Sequence, residues 1–192
     1  MLYKAVASSW AQARFGPLAQ SLEPIITESA WKLDETALIG GVLYKTHDLP
    51  EFLPREARAK VLFTYRKASD VALSIADRRT ERGEKWFVRH RIHLRGEGDF
   101  EAFLGKDSLG LETQVDRWSE APGLDVLGLR YETLWDHLAE LEDFLGFRVR
   151  LPAQRGSRRS PAPTPHSDAL AQTYAALDRK IAAMPDVFRL RP

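Results

Sequence analysis

VLFTYRKASDVALSI, Val61 to Ile75, decides how this chain is read. Its first five residues, Val61 to Tyr65, form a short apolar run rich in β-formers, which suits a strand buried on both faces. A turn at Arg66 and Lys67 follows. Ser69 or Asp70 then offers a cap for a helix that runs through VALSIADRRTER to Gly83. Strand, turn and helix in this order make a βα unit. Two further apolar runs, Leu38 to Tyr44 (LIGGVLY) and Asp125 to Leu129 (DVLGL), predict strands of the same kind. Helices are predicted from Leu2 to Phe15, stopped by Gly16-Pro17, and from Trp135 to Leu145, where Leu138, Leu141 and Leu145 share a face and Gly146 ends the run. Residues 150–166 are rich in Arg, Ser and Pro and read as loop, before a last helix from Ser167 to Ala183. Strands alternating with helices imply an α/β fold with a mostly parallel sheet, whose ligands gather beyond the carboxyl ends of the strands.

Composition narrows the function classes. At 192 residues with 44% hydrophobic side chains, the chain has material for one core, so residues 1–192 are expected to form a single domain. Lys and Arg number 28 against 27 Asp and Glu, which leaves no global basic field for nucleic acid or an anionic membrane surface. Any anion site must therefore be local. Cysteine is absent, which removes disulfides, thiolate nucleophiles and Cys-based zinc sites and suits a reducing, cytoplasmic setting. No stretch approaches the roughly 18 to 20 apolar residues that a membrane span needs, so a soluble protein is expected.

Two pairs of residues carry candidate chemistry. In KTHDLPEFLP, Lys45 and His47 follow the predicted strand two positions apart and share a face if extension persists. Imidazole can take a proton near working pH, and a neighbouring cation can stabilise charge growing on a leaving oxygen. Equally, Lys45 can be a solvated strand-end lysine and His47 a turn residue. In the Val61 to Ile75 stretch, Arg66 leaves the strand and Ser74 lies early in the next helix. A guanidinium beside a helix N-terminus makes an anion site, although the Ser74 hydroxyl can instead bond back to the Asp70 carbonyl.

These segments together resemble the sulfotransferases of the cytosolic type. The phrase Lys45-Thr46-His47 with its Leu49-Pro50 turn, the Arg66 to Ser74 element with Asp70-Val71-Ala72 between, and the Leu124 to Phe147 strand, Tyr131-Glu132 turn and helix are all similar to that family. The resemblance implies a three-layer fold like that of the P-loop NTPases. It also implies transfer of a sulfuryl group from 3′-phosphoadenosine 5′-phosphosulfate (PAPS) to a hydroxyl or amine on a small molecule or glycan, with no metal. By the same resemblance His47 is the base, Lys45 its electrostatic helper, and Arg66 and Ser74 bind the donor's 3′-phosphate. Arg155-Gly156, with Arg158 and Arg159, is the nearest counterpart of the family's basic loop over the nucleotide; a solvated linker is the competing reading.

The family pattern is incomplete here. Its opening strand and Gly/Ser/Thr-rich phosphate loop have no counterpart, and Met1 to Trp10 resemble the start of the helix that follows them. A shortened chain is expected, with weak or no turnover. The alternative function is an inactive remnant of the same fold that binds the 3′,5′-bisphosphate (PAP) or is structural. A nucleotide kinase shares the architecture but needs a Walker-type loop that is absent from the sequence. The basic cluster Arg89, His90, Arg91 and His93 has no carboxylate pattern of a metal site, and Trp86, Phe87 and Trp118 are candidates for either core or acceptor pocket.

Overall fold

Val61, Leu62 and Phe63 extend as their β-branched and aromatic character dictates, within strand β3 (Lys60–Tyr65). The computed structural model describes residues 2–54, 56–154 and 165–192. Strand β4 (Asp125–Arg130) pairs with β3 in parallel, setting Val61 beside Val126 and Tyr65 beside Arg130. A further strand, β5 (Val187–Leu190), runs antiparallel along the other edge of β4. Phe188 lies opposite Gly128 in that pairing, and its ring occupies the space where a Cβ on residue 128 would stand. Packing is what requires glycine there.

The strand predicted from Leu38 to Tyr44 is shorter than expected and belongs elsewhere. Strands β1 (Thr27–Ser29) and β2 (Leu43–Lys45) form a separate parallel pair, with Thr27 beside Leu43 and Ser29 beside Lys45. Residues Ile39 to Val42 make a turn instead of the expected extension. Gly41 sits at φ +81°, the Val42 amide bonds to the Ile39 carbonyl at 3.3 Å, and the Tyr44 hydroxyl accepts from the Ile39 amide at 2.9 Å. The Gly40-Gly41 pair thus outweighs the apolar run around it. The described residues therefore hold two small sheets, of order β1-β2 and β3-β4-β5, where one mostly parallel sheet was expected.

Helix α1 (Leu2–Phe15) ends at the predicted Gly16, and a short α2 (Ala19–Leu22) follows. Helix α3 (Ala68–Arg82) starts two residues earlier than a Ser69 cap would place it. Its first turn is satisfied from a distance, by the Asp178 carboxylate, which accepts from the Ser69 amide at 3.1 Å and hydroxyl at 2.6 Å. Gly83, at φ +80°, separates α3 from α4 (Glu84–His93). Helices α5 (Phe100–Gly105) and α6 (Leu111–Ser119) come next. Asp99 accepts from the Ala102 amide at 2.9 Å, and Asp107 from the Leu111 and Glu112 amides at 3.0 and 2.8 Å, so each helix has a carboxylate at its start. Helix α7 (Leu138–Leu145) begins three residues later than predicted, because Trp135 is held in a turn by its indole bond to the Pro152 carbonyl at 2.9 Å. The single C-terminal helix expected from Ser167 is broken at Tyr174 into α8 (Ser167–Thr173) and α9 (Ala175–Ala183). Tyr174 is buried there, with its hydroxyl 3.2 Å from Asp107.

The three-stranded sheet is covered on both faces. Leu127 and Leu129 of β4 pack with Leu2 and Val6 of α1 and with Leu141 and Phe144 of α7. On the other face Phe63 and Tyr65 of β3 meet Ala68, Ala72 and Ile75 of α3, together with Phe87, Phe103, Leu177 and Ile181. Burying each large apolar side chain of this kind contributes about 1.5–3 kcal/mol. Strand β4 is buried almost throughout, yet Val61, Leu62 and Phe63 of β3 are only half-buried. One core links the two sheets, since Leu43 of β2 and Leu62 of β3 pack against the cluster that holds Leu2 and Val6 of α1. No helix among the described residues is long and apolar enough to cross a membrane.

Candidate anion-binding cleft

Between β2 and β3 lies a cleft of about 1200 Å³, and its walls include Lys45, His47, Arg66 and Ser74. The four residues singled out from sequence thus share one space, reached from two different sheets. Arg155 and Gly156, and with them Arg158 and Arg159, lie outside the described residues.

Arg66 leaves β3 and is held by two carboxylates. Its Nη2 donates to Asp70 Oδ2 at 2.9 Å, its Nε stands 3.6 Å from Glu132 Oε1, and its guanidinium lies 5.6 Å from the centre of the Tyr131 ring. Ser74 lies two turns into α3, and its hydroxyl makes no hydrogen bond among the described residues. The bond back to the Asp70 carbonyl, one reading of the sequence, is not formed, unlike that of Thr80 on the same helix, which bonds to the Ala76 carbonyl at 3.2 Å. A phosphate between the two would find a donor fork on one side and a free hydroxyl on the other.

His47 is positioned through its backbone. Gln114 Nε2 of α6 donates to the His47 carbonyl at 2.7 Å, and the indole of Trp118 donates to the Asp48 carbonyl at 3.0 Å. Asp48, 1% exposed, accepts from the Leu33 and Leu49 amides at 2.8 and 3.0 Å and from Arg95 at 2.6 and 2.9 Å. Burial pushes the Asp48 carboxyl up, but the Arg95 and amide hydrogen bonds outweigh it and hold it below the usual range. Arg95 also binds Asp34 at 2.6 Å and lies over the Phe52 ring, 3.5 Å from its centre. The turn that presents His47 is therefore locked. Neither Asp48 nor Arg95 was singled out from sequence, because a pair 47 residues apart leaves no local pattern.

The His47 imidazole itself departs from the expectation of a base poised near neutrality. Burial, then the charges of Lys45, His90 and His93, lower its pKa from 6.5 to about 4. His90, at 5.7 Å edge-on to His47 and stacked on Trp86 at 4.8 Å, is lowered to about 4 by burial and by His93, Lys45 and Arg78. His93 stacks on Trp31 at 3.7 Å. His47 is thus neutral at pH 7 and free to accept a proton, but burial first, and the Lys45 charge second, make that acceptance costly.

The cleft is cationic although the chain is nearly neutral. Lys45, Lys60, Arg66, Arg78, Arg82 and Arg89 line it, against one carboxylate, Asp48, that is already paired. Among the described residues Lys45, Arg78, Arg82 and Arg89 form no ion pair. Ser74, Arg78 and Arg82 recur at intervals of four along α3 and share a face, a signal present in the sequence but not used there. Of the aromatic candidates, Phe87 is core, whereas Trp86 borders the cleft and Trp118 does so while nearly fully buried. No group of three His, Asp or Glu side chains among the described residues is placed to hold a metal ion. No family model matches this chain, and no curated protein matches it either.

Proposed function

We propose that the cleft binds the nucleotide of PAPS and that the chain belongs to a PAPS-dependent sulfotransferase built on a three-layer, P-loop-like α/β fold. The observation that carries this is the meeting of Lys45, His47, Arg66 and Ser74 in one cation-lined cleft. Arg66 and Ser74 take the 3′-phosphate, with the dianion displacing Asp70 from the guanidinium. His47 takes the proton from the acceptor hydroxyl or amine as its oxygen or nitrogen attacks sulfur. The sulfur–oxygen bond to the nucleotide breaks, and Lys45 stabilises the phosphate oxygen that departs. The negative charge of the bound donor offsets the Lys45 charge, which together with burial holds the His47 pKa down. The acceptor side is the end of the cleft flanked by Trp86, His90, His93 and Trp31.

Calorimetric titration with PAP and with the 5′-monophosphate tests the nucleotide assignment. Arg66→Ala should weaken PAP binding by about 1.5–3 kcal/mol, as expected for lost charged hydrogen bonds, and leave the monophosphate unaffected. Equal losses for both ligands, or no preference for PAP in the parent, would overturn it. The second reading, binding without transfer, is favoured by the lack of any Gly/Ser/Thr-rich loop in these residues to hold the 5′-phosphosulfate. A radiolabelled-donor assay separates the two, since PAP binding with no transfer to any acceptor leaves the second.

A further inference from the structure

Once Arg66 and Ser74 are given to the 3′-phosphate and Lys45 to the leaving oxygen, the cleft still holds cations. Lys60 is turned to the Phe144 carbonyl at 2.6 Å. Arg78 and Arg82 of α3 and Arg89 of α4 remain, each exposed and each on the cleft wall. Their neighbour Arg79 pairs with Glu84 at 2.6 Å, but among the described residues these three arginines pair with no carboxylate. Asp77 and Glu81 stand next to Arg78 and Arg82 in the chain, yet neither lines the cleft. Arg78 and Arg82, four residues apart on one helix face, repel each other. An anion from solution would remove that repulsion.

The wall they form is built at Gly83, whose φ of +80° and ψ of 172° are open to glycine alone. That residue turns the chain so that α3 and α4 line one cleft, with Arg89, His90 and His93 on its wall and Phe87 and Leu94 in the core. From Ser74 to Arg82 the row covers about 12 Å along α3, away from the helix start and past the residues assigned to the 3′-phosphate. It also reaches the rings near His47. After burial, His93 and Lys45, the Arg78 charge lowers the His90 pKa, and after burial Arg89 lowers that of His93. His90 lies 5.7 Å from His47. Apolar surface accompanies the charge, since Trp31, stacked on His93 at 3.7 Å, is 45% exposed and Trp86 stacks on His90 at 4.8 Å. We propose that Arg78, Arg82 and Arg89 form a second anion subsite and that the acceptor is acidic, bearing a carboxylate, phosphate or sulfate apart from the hydroxyl or amine that takes the sulfuryl group. Calling the ligand an acceptor rests on the transferase reading; the preference for an anion does not. The arginines hold the acidic group, Trp31 and Trp86 cover the body of the molecule, and its hydroxyl or amine is turned to His47. A neutral acceptor leaves the three cations uncompensated and a cationic one is repelled, so the wall selects by charge.

Calorimetry with matched probes tests this: 4-nitrophenyl β-glucoside, the β-glucuronide, in which a carboxylate replaces the hydroxymethyl group, and the 6-phosphate of the glucoside, each with and without saturating PAP. At about 0.3 M salt, where steering from a distance is screened, an acidic probe should bind about tenfold more tightly than the neutral one, with PAP bound as without it. The tighter of the two acidic probes names the anion. Arg78→Gln combined with Arg82→Gln should abolish the preference and leave PAP affinity unchanged. Equal binding of all the probes overturns the proposal, as does a preference that vanishes when PAP fills the cleft or survives in the double variant. A parallel loss of PAP affinity in that variant would return both arginines to the nucleotide site and overturn it too. If the parent chain does not bind PAP but keeps the preference through Arg78 and Arg82, the nucleotide reading fails and the anion subsite stands; PAP binding without the preference means the reverse.

Discussion

His47 and His90 each have a pKa of about 4 in the folded chain against 6.5 when unfolded, owing first to burial and then to neighbouring positive charge. The unfolded state therefore binds more protons between these values, and stability must rise with pH across that window. The contribution is fully present above pH 6.5 and is lost as pH falls to 4. Urea melts at intervals from pH 7 to pH 4 should show the midpoint falling, with a shallower slope in His90→Gln. An unchanged slope in that variant would remove His90 from the account. Because the two imidazoles repel each other when charged, the apparent values belong to the pair. A polyanion in the cleft should reverse the shift: with PAP bound, the His47 ring resonances should titrate at higher pH than in the free chain, and PAP affinity should rise as pH falls toward 5. Unaltered titration on saturation with PAP would place the nucleotide away from His47. If the proposed transfer holds, His47→Ala should lower turnover by about 10² to 10⁴ while sparing donor affinity.

Among the elements, those with their own punctuation were legible. Strands β3 and β4 were found because five or six apolar residues ended at turn formers, and α1, α3 and α7 because Gly16, Gly83 and Gly146 closed them. What escaped was set by partners distant in sequence. β5 exists because Phe188 fills the space over Gly128 and because Arg130 binds Asp186 at 2.5 Å and the Ile181 carbonyl at 2.9 Å. The break at Tyr174 answers to its burial and to Asp107, 67 residues away. The β2 boundary failed for a local reason, since hydrophobicity was weighed above the Gly40-Gly41 turn. Gly128→Ala should destabilise the fold by about 1–3 kcal/mol through overpacking, and Phe188→Ala in the same chain should recover part of that loss rather than add to it. A strictly additive double-mutant cycle would show that the two residues do not share the space. Likewise Asp178→Ala, which strips the start of α3 of its carboxylate, should cost about 0.5–2 kcal/mol, the range for a lost N-cap.

At the scale of the whole molecule, the site was legible where its parts were contiguous. Lys45 with His47, and Arg66 with Ser74, are each within nine residues, and the structure places both pairs on one cleft. The rest of that cleft, Arg78, Arg82, Arg89 and Trp31, is assembled by packing six helices, α1, α3, α4, α6, α7 and α9, and two sheets around a common space. Its charge could not be inferred from a composition that nearly cancels. The unpaired cations have a kinetic consequence. Low-dielectric walls focus their field toward the opening, so an anion is drawn in faster than diffusion of a neutral molecule would allow. With a Debye length of about 10 Å at 0.1 M salt, that attraction is largely screened at high ionic strength, whereas contacts already made in the cleft are screened much less. Stopped-flow tryptophan fluorescence should accordingly show the PAP association rate constant falling severalfold between about 0.02 and 0.3 M salt, with dissociation nearly constant. Removing Arg78 and Arg82 together should flatten that dependence, because the steering resides in residues that a bound 3′-phosphate never has to touch.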